Sequence, residues 1–205
     1  MPNFKSESSL SEKVINDGRI IFVVGNPRSG TTMMGHILGQ NKYIHTFKEL
    51  HFFEKLWTPK NEKMKIDPKE ALNLTASLID IDRNGFFRRE NTARFNEMAR
   101  KVISDLDKKK CSHSDVYRNF LHYFTNKNNK KISCEQTPGY LYFIDEIKTI
   151  FPNSKFIFMV RDPRDVMLSK KNRWKRRFLS VNDIPLNATV RTFINYSPNA
   201  VDLTI

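Results

Sequence analysis

The chain has 205 residues, only two cysteines and a formal net charge of +13. That length supports one sizeable hydrophobic core, and the charge asks for an anionic partner without saying which. No run of about 18 uninterrupted apolar residues is present, which argues against a transmembrane helix, and the polar start Met1 to Asp17 has no signal-peptide core.

Residues 1–18 read as a flexible tail ending at Asp17-Gly18, and residues 19–205 as a single domain. Ile20-Ile21-Phe22-Val23-Val24 is a buried strand pattern running to residue 25. It feeds Gly25-Asn26-Pro27-Arg28-Ser29-Gly30-Thr31-Thr32, where Gly25 and Gly30 have the spacing of a phosphate-binding loop and Thr32 supplies its hydroxyl. Thr31 stands where such a loop carries lysine, and the cation has moved to Arg28. A strand turning through glycine into a helix still offers backbone N–H groups and a positive dipole end to phosphate or sulfate. The following helix spans about Thr31 to Gln40, with Met33, Met34, Ile37 and Leu38 read as core. A short strand from Tyr43 to Thr46 then aims Glu49 toward a cleft.

Residues 67–127 read as a helical insert on the substrate side, with helices at 68–81, 90–107 and 113–126. Asn84-Gly85 and the charged turn Asp107 to Lys110 interrupt them. Lys131 to Glu135 form a strand, and Tyr140 to Phe151 a helix stopped by Pro152. Phe156 to Val160 are again continuously apolar, the pattern of a strand buried on both faces of a parallel sheet. Pro163 suits the first turn of a helix. Arg161 at the strand's end and Ser169 two turns onward can clamp one anion from two sides, the guanidinium as a planar fork and the hydroxyl as a further donor. Strand and helix alternate, so the expected fold is α/β, a P-loop-type and mostly parallel sheet flanked by helices, with ligands beyond the carboxyl ends of the strands.

Eight basic residues lie between Arg161 and Arg177. Lys170, Lys171, Lys175 and Arg176 read as a solvated helix face, while Arg173 and Trp174 either line a nucleotide or pack. A nucleic-acid partner is not expected, because no helix-turn-helix, RNP or zinc-finger pattern accompanies the charge. Cys111 and Cys134 lack metal spacing and read as two buried thiols of a reducing, cytoplasmic protein.

The loop at residues 25–32 resembles the 5′-phosphosulfate loop of the sulfotransferase family, and Arg161 with Ser169 resembles its 3′-phosphate motif. Lys48-Glu49-Leu50-His51-Phe52-Phe53 is similar to the segment that carries the family's base. Glu135-Gln136-Thr137-Pro138-Gly139-Tyr140 is similar to a segment usually read Glu-Lys-Thr-Pro, with Gln136 in place of the lysine. The resemblance implies transfer of a sulfuryl group from 3′-phosphoadenosine 5′-phosphosulfate (PAPS), releasing PAP, without a metal. It implies PAPS contacts at Pro27, Arg28, Ser29, Gly30, Thr31, Thr32, Arg161 and Ser169. Glu49 is the base, His51 its substitute or orienting partner, and Arg28 the group on the bridging oxygen. The acceptor is a small molecule, carbohydrate or peptide. Met33 stands where some members carry an aromatic, so adenine stacking comes from elsewhere. The end at Ile205 precedes the further strand, helix and basic loop of most members, and reads as a truncated or divergent form. Two rivals stand beside this reading: a P-loop kinase or NTPase with Asp162 as its Mg²⁺ ligand, and an inactive PAP- or polyanion-binding protein.

Overall fold

The computed structural model describes residues 19–86, 92–104, 106 and 111–177, with side chains through residue 172. In chain order, β1 (Ile20–Gly25) leads to α1 (Thr31–Gly39), β2 (Ile44–Thr46), a π-helical turn (Phe52–Leu56), α2 (Pro59–Glu62) and α3 (Pro68–Asn84). A 3₁₀ turn (Thr92–Phe95) opens into α4 (Asn96–Val102), followed by α5 (His113–Lys127) and β3 (Ile132–Glu135). A second 3₁₀ turn (Pro138–Phe143) leads to α6 (Ile144–Ile150), β4 (Lys155–Met159) and α7 (Pro163–Arg177). The four strands form one parallel sheet in the order β2-β3-β1-β4, flanked by helices, so the chain is α/β as its sequence implies.

β1 is continuously apolar because it has a strand on each side: Phe22 pairs with Glu135 of β3 and with Phe156 of β4. Ile20, Phe22, Val23 and Val24 are all buried. β4 corrects one expectation. It ends the strand order among the described residues, and Phe158 is 54% exposed rather than buried on both faces. Val160, 90% exposed, lies beyond the strand. An apolar run of this length reports β structure but does not separate a central strand from an end strand.

The apolar residues of α1 bring a second correction. Thr31 and Gly35, four apart, form its buried face, and Thr46 Oγ1 donates to the Gly35 carbonyl at 3.0 Å. Residues 33 and 37 sit two positions from Gly35, about 200° around the helix, so Met33 and Ile37 face outward. Met34 and Leu38 are half-buried beside Val23, Ile44 and Cys134. Gly35, flanked by Met34 and Leu38, is the contact surface here, and Met33 and Ile37 are not.

The main core joins β1 to residues 67–127 without interruption. Phe22 packs on the rings of Tyr140, Phe151 and Phe156, while Phe52 stacks flat on Tyr117 of α5 at 4.1 Å. Leu74, Leu78 and Ile81 of α3 and Val116, Phe120 and Leu121 of α5 complete it. Asp67 caps α3 by accepting from the Lys69 and Glu70 amides, and Ser112 with Asp115 forms a capping box on α5. The helix expected at 90–107 is a 3₁₀ turn followed by α4, the rest of that span lying partly outside the described residues. The segment expected to be helical from Tyr140 begins as a 3₁₀ turn, and the turn at Phe52–Leu56 and α2 were not anticipated. The tail read at residues 1–18 also lies outside the described residues.

Phe22 touches three aromatic rings and is fully buried, so Phe22→Ala is expected to cost about 3–5 kcal/mol. Urea denaturation measures this, and a loss below about 1 kcal/mol would contradict the central place given to this ring.

Candidate active site

All four strands run parallel, so the ends at Gly25, Thr46, Glu135 and Met159 share one edge of the sheet. Gly25 has φ 152°, and a Cβ there would strike the Met159 carbonyl, so β1 and β4 approach as closely as glycine permits. Gly30, left-handed at φ 97°, caps α1. Between them Arg28 holds φ 79°, unusual for a side-chain-bearing residue, and the Ser29 amide donates to the Asn26 carbonyl at 3.0 Å. The turn leaves the first-turn amides of α1 without intrahelical acceptors. Ser29 is buried, and its Oγ has no partner among the described residues. An orphaned hydroxyl beside a helix start fits a phosphate or sulfate oxygen.

The two segments expected to bind anions meet. Arg28 Nε donates to Ser169 Oγ at 3.1 Å, across 141 positions of sequence, and Arg161 Nη1 donates to the Arg28 carbonyl at 3.3 Å. Arg161 also lies 3.7 Å from Asp165 Oδ2, one helical turn onward. Asp162 is gripped by Arg164, whose hydrogen bonds hold its carboxyl down at about 2. It is thus engaged by a cation. Lys170, read from sequence as solvated, is buried on α7, and that burial lowers its pKa.

The segment after β2 is held by side chains from the β3 end. The Phe47 amide donates to the Cys134 carbonyl at 2.8 Å, Leu50 N–H to Glu135 Oε1 at 2.9 Å, His51 N–H to Thr137 Oγ1 at 3.2 Å and Phe52 N–H to Tyr140 Oη at 2.8 Å. Lys48 N–H reaches Asp82 of α3 at 3.1 Å. Glu135 is fully buried and also accepts from the Thr137 amide and hydroxyl. Burial pushes its pKa up to about 7, against these donors and the nearby His51 charge. The neighbouring Gln136 is buried against Gly35 of α1, not facing open space.

The held segment presents three side chains together. His51, in the left-handed region at φ 53°, lies between two carboxylates: its Nε2 is 3.5 Å from Glu49 Oε2, and its Nδ1 pairs with Glu54 Oε2. Burial lowers the imidazole pKa, but the hydrogen bonds its ring donates to Glu49 and Glu54 outweigh it and raise the value to about 9. His51 is therefore an imidazolium at neutral pH. Glu49 is the most open of the three, its side chain 40% exposed against 14% for His51 and 20% for Glu54.

The sequence profile of the sulfotransferase family matches residues 20–196. The chain belongs to the sulfotransferase family. It is 25% identical over 161 residues to nodulation protein NoeE of Sinorhizobium fredii (strain NBRC 101917 / NGR234), a match covering 78% of this chain and 33% of that protein. The chain thus spans about a third of the length of this curated relative. Among solved structures, the sulfotransferase domain from the curacin biosynthetic pathway is similar at 16% identity and a TM-score of 0.46, over 89% of this chain and 63% of that one. Among the described residues no helix is long and apolar enough to cross a membrane.

In this family member the structure brings Arg28, Arg161 and Ser169 into one hydrogen-bonded group and places Glu49 beside His51. Sequence reasoning missed Glu54 and the bracing role of Glu135, Thr137 and Tyr140. The Glu-x-Thr-x-x-Tyr spacing was visible, but its partners lie some 85 residues earlier in the chain.

Three donors converge on Glu135, and Gln at that position offers one acceptor oxygen, so Glu135→Gln leaves a buried donor unmatched at a cost of about 1–3 kcal/mol. The raised carboxyl pKa means the folded state binds the extra proton, so this group's contribution to stability is full below about 4.5 and is lost as pH rises through about 7. Urea titrations across that range are expected to show the slope in the wild type and its loss in Glu135→Gln, with faster amide exchange at Leu50. A variant of equal stability and unchanged exchange would contradict the bracing role.

Proposed function

We propose that this protein transfers a sulfuryl group from PAPS to a hydroxyl or amine of a small-molecule, carbohydrate or peptide acceptor. The observation that carries the reading is the Arg28–Ser169 hydrogen bond, which joins two anion-binding segments at the end of adjacent parallel strands. A ligand with phosphate at both ends of a nucleoside would satisfy both. Pro27 to Thr32 would hold the 5′ end through loop amides, the Ser29 and Thr32 hydroxyls and Arg28. Arg161 and Ser169 would take the 3′-phosphate. When bound, PAPS supplies the activated sulfuryl group.

The chain's own residues then manage charge. Glu49 accepts the proton of the attacking hydroxyl or amine as the acceptor–sulfur bond forms and the sulfur–oxygen bond to the departing phosphate breaks. Arg28 and the loop amides, fixed before the reaction, stabilise the negative charge that grows on that phosphate. His51 is a poor base here, since an imidazolium has no lone pair to offer, and we assign it to orienting Glu49. We place residues 67–127 on the acceptor side and keep residues 19–205 as one domain. The buried thiols Cys111 and Cys134, which form no disulfide, support a cytoplasmic setting.

The test measures PAP release from PAPS over a panel of hydroxyl and amine acceptors. Glu49→Gln is expected to cut turnover on the order of 10²–10⁴-fold while PAP affinity and stability hold. Arg161→Ala is expected to weaken PAP by roughly one to two decades with little change in AMP, which lacks the 3′-phosphate. A fully active Glu49→Gln enzyme would overturn the base assignment, and equal weakening of PAP and AMP would overturn the 3′ site.

A further inference from the structure

Glu54 lies on the turn at Phe52–Leu56, outside the segment whose pattern points to chemistry, and its seat is unusual. A Cβ on Gly139 would overlap the Glu54 carboxylate, coming within 2.7 Å of its Cδ, so the absence of a side chain at 139 is what makes room for it. Gly139 needs no left-handed backbone; the requirement is space alone. From that notch Glu54 pairs with His51 Nδ1, while the opposite ring nitrogen faces Glu49 at 3.5 Å. The residue is fixed elsewhere too: the His51 backbone amide donates to Thr137 Oγ1, and the ring packs 4.8 Å from that of Phe86 just beyond α3. Two carboxylates therefore face one cation, Glu49 from the same loop and Glu54 from the π-helical turn, and the charge of His51 also acts to lower the pKa of Glu135 on β3.

We propose that Glu54 is a positioning residue, which from the Gly139 notch locks the His51 ring so that its far nitrogen steadies the Glu49 carboxylate for proton transfer. The claim that Glu49 is served in this way rests on the function proposed above, whereas the Glu54–His51–Glu49 arrangement stands by itself. The inner carboxylate balances the imidazolium, and the outer one, more open to solvent, keeps a free edge for the acceptor. Without Glu54 the ring loses the carboxylate at Nδ1, one of the two that favour its charged form.

The experiment is an NMR titration of the histidines in the full chain without donor or acceptor, with His51→Gln identifying the His51 signal. In the wild type His51 is expected to titrate near 9. Glu54→Gln is expected to lower that midpoint by about one unit or more, a tenfold loss of proton affinity. Gly139→Ala, which ejects the carboxylate by crowding, is expected to do the same. In turnover, Glu54→Gln is expected to lower kcat about tenfold at unchanged KM for PAPS and to move the alkaline limb of the pH profile with the His51 midpoint, and Glu54→Asp to restore part of both. A merely structural Glu54 would shift melting and leave the His51 midpoint in place. A folded Glu54→Gln with an unmoved midpoint overturns the proposal, as does a wild-type midpoint at or below about 6.5, which needs no variant to fold. Because the titration requires no catalysis, a chain that passes it and turns over no PAPS upholds the Glu54–His51 pairing and overturns the sulfotransfer reading instead.

Discussion

A buried carboxylate holds this site together. Glu135 closes β3 with no exposure to solvent and accepts three hydrogen bonds, one of them from Leu50 in the segment that carries Glu49 and His51. That segment has little regular structure of its own, and a loop orders only if its amides find partners. They find them one after another along the β3 end: the Cys134 carbonyl, Glu135, Thr137 and Tyr140. Burying the carboxyl costs enough that its pKa climbs to about 7, and the bonds it receives are what make the cost tolerable. The left-handed turn at His51 and the close seat of Glu54 over Gly139 both depend on that bracing.

The parallel sheet supplies the other half. Since all four strands end on one edge, the glycine loop after β1, the braced segment after β2 and Arg161 after β4 gather there, however far apart they lie in the chain. The loop's geometry suits an anion for local reasons. Two glycines permit its sharp entry and exit, Arg28 adopts a costly backbone angle, and a buried serine hydroxyl is left without a partner among the described residues. Strain and unpaired groups of this kind concentrate where a ligand completes the structure.

Much of this was legible in the sequence. Local signals sufficed for β1, the glycine loop, the helices near 68–81 and 113–126 and the alternation that implies a parallel sheet. What escaped depends on neighbours that are distant in sequence. Phe158 belongs to an apolar run like that of β1, and only strand order shows that β4 has a partner on one side among the described residues. Met33 and Ile37 have helical spacing, yet α1 packs through Gly35, a residue that no hydrophobic pattern marks. Lys170 looks like part of a basic surface and is buried. Glu54 is unremarkable until Gly139, 85 positions on, is found beneath it.

The rivals to sulfotransfer share the loop but differ at its ends. A kinase would want a lysine at Thr31 and an acid turned toward Mg²⁺, whereas Asp162 is clamped by Arg164. A binding protein without activity would use the same two clamps. Both enzyme readings thus divide on the second anion, the one that would meet Arg161 and Ser169. Calorimetry of the full chain with PAP, AMP and ATP, the last with and without Mg²⁺, addresses it directly. PAP is expected to bind tenfold or more tighter than either AMP or ATP, since one charged hydrogen-bonding partner contributes about 1.5–3 kcal/mol. Equal affinities, or ATP preferred in the presence of Mg²⁺, would contradict the account.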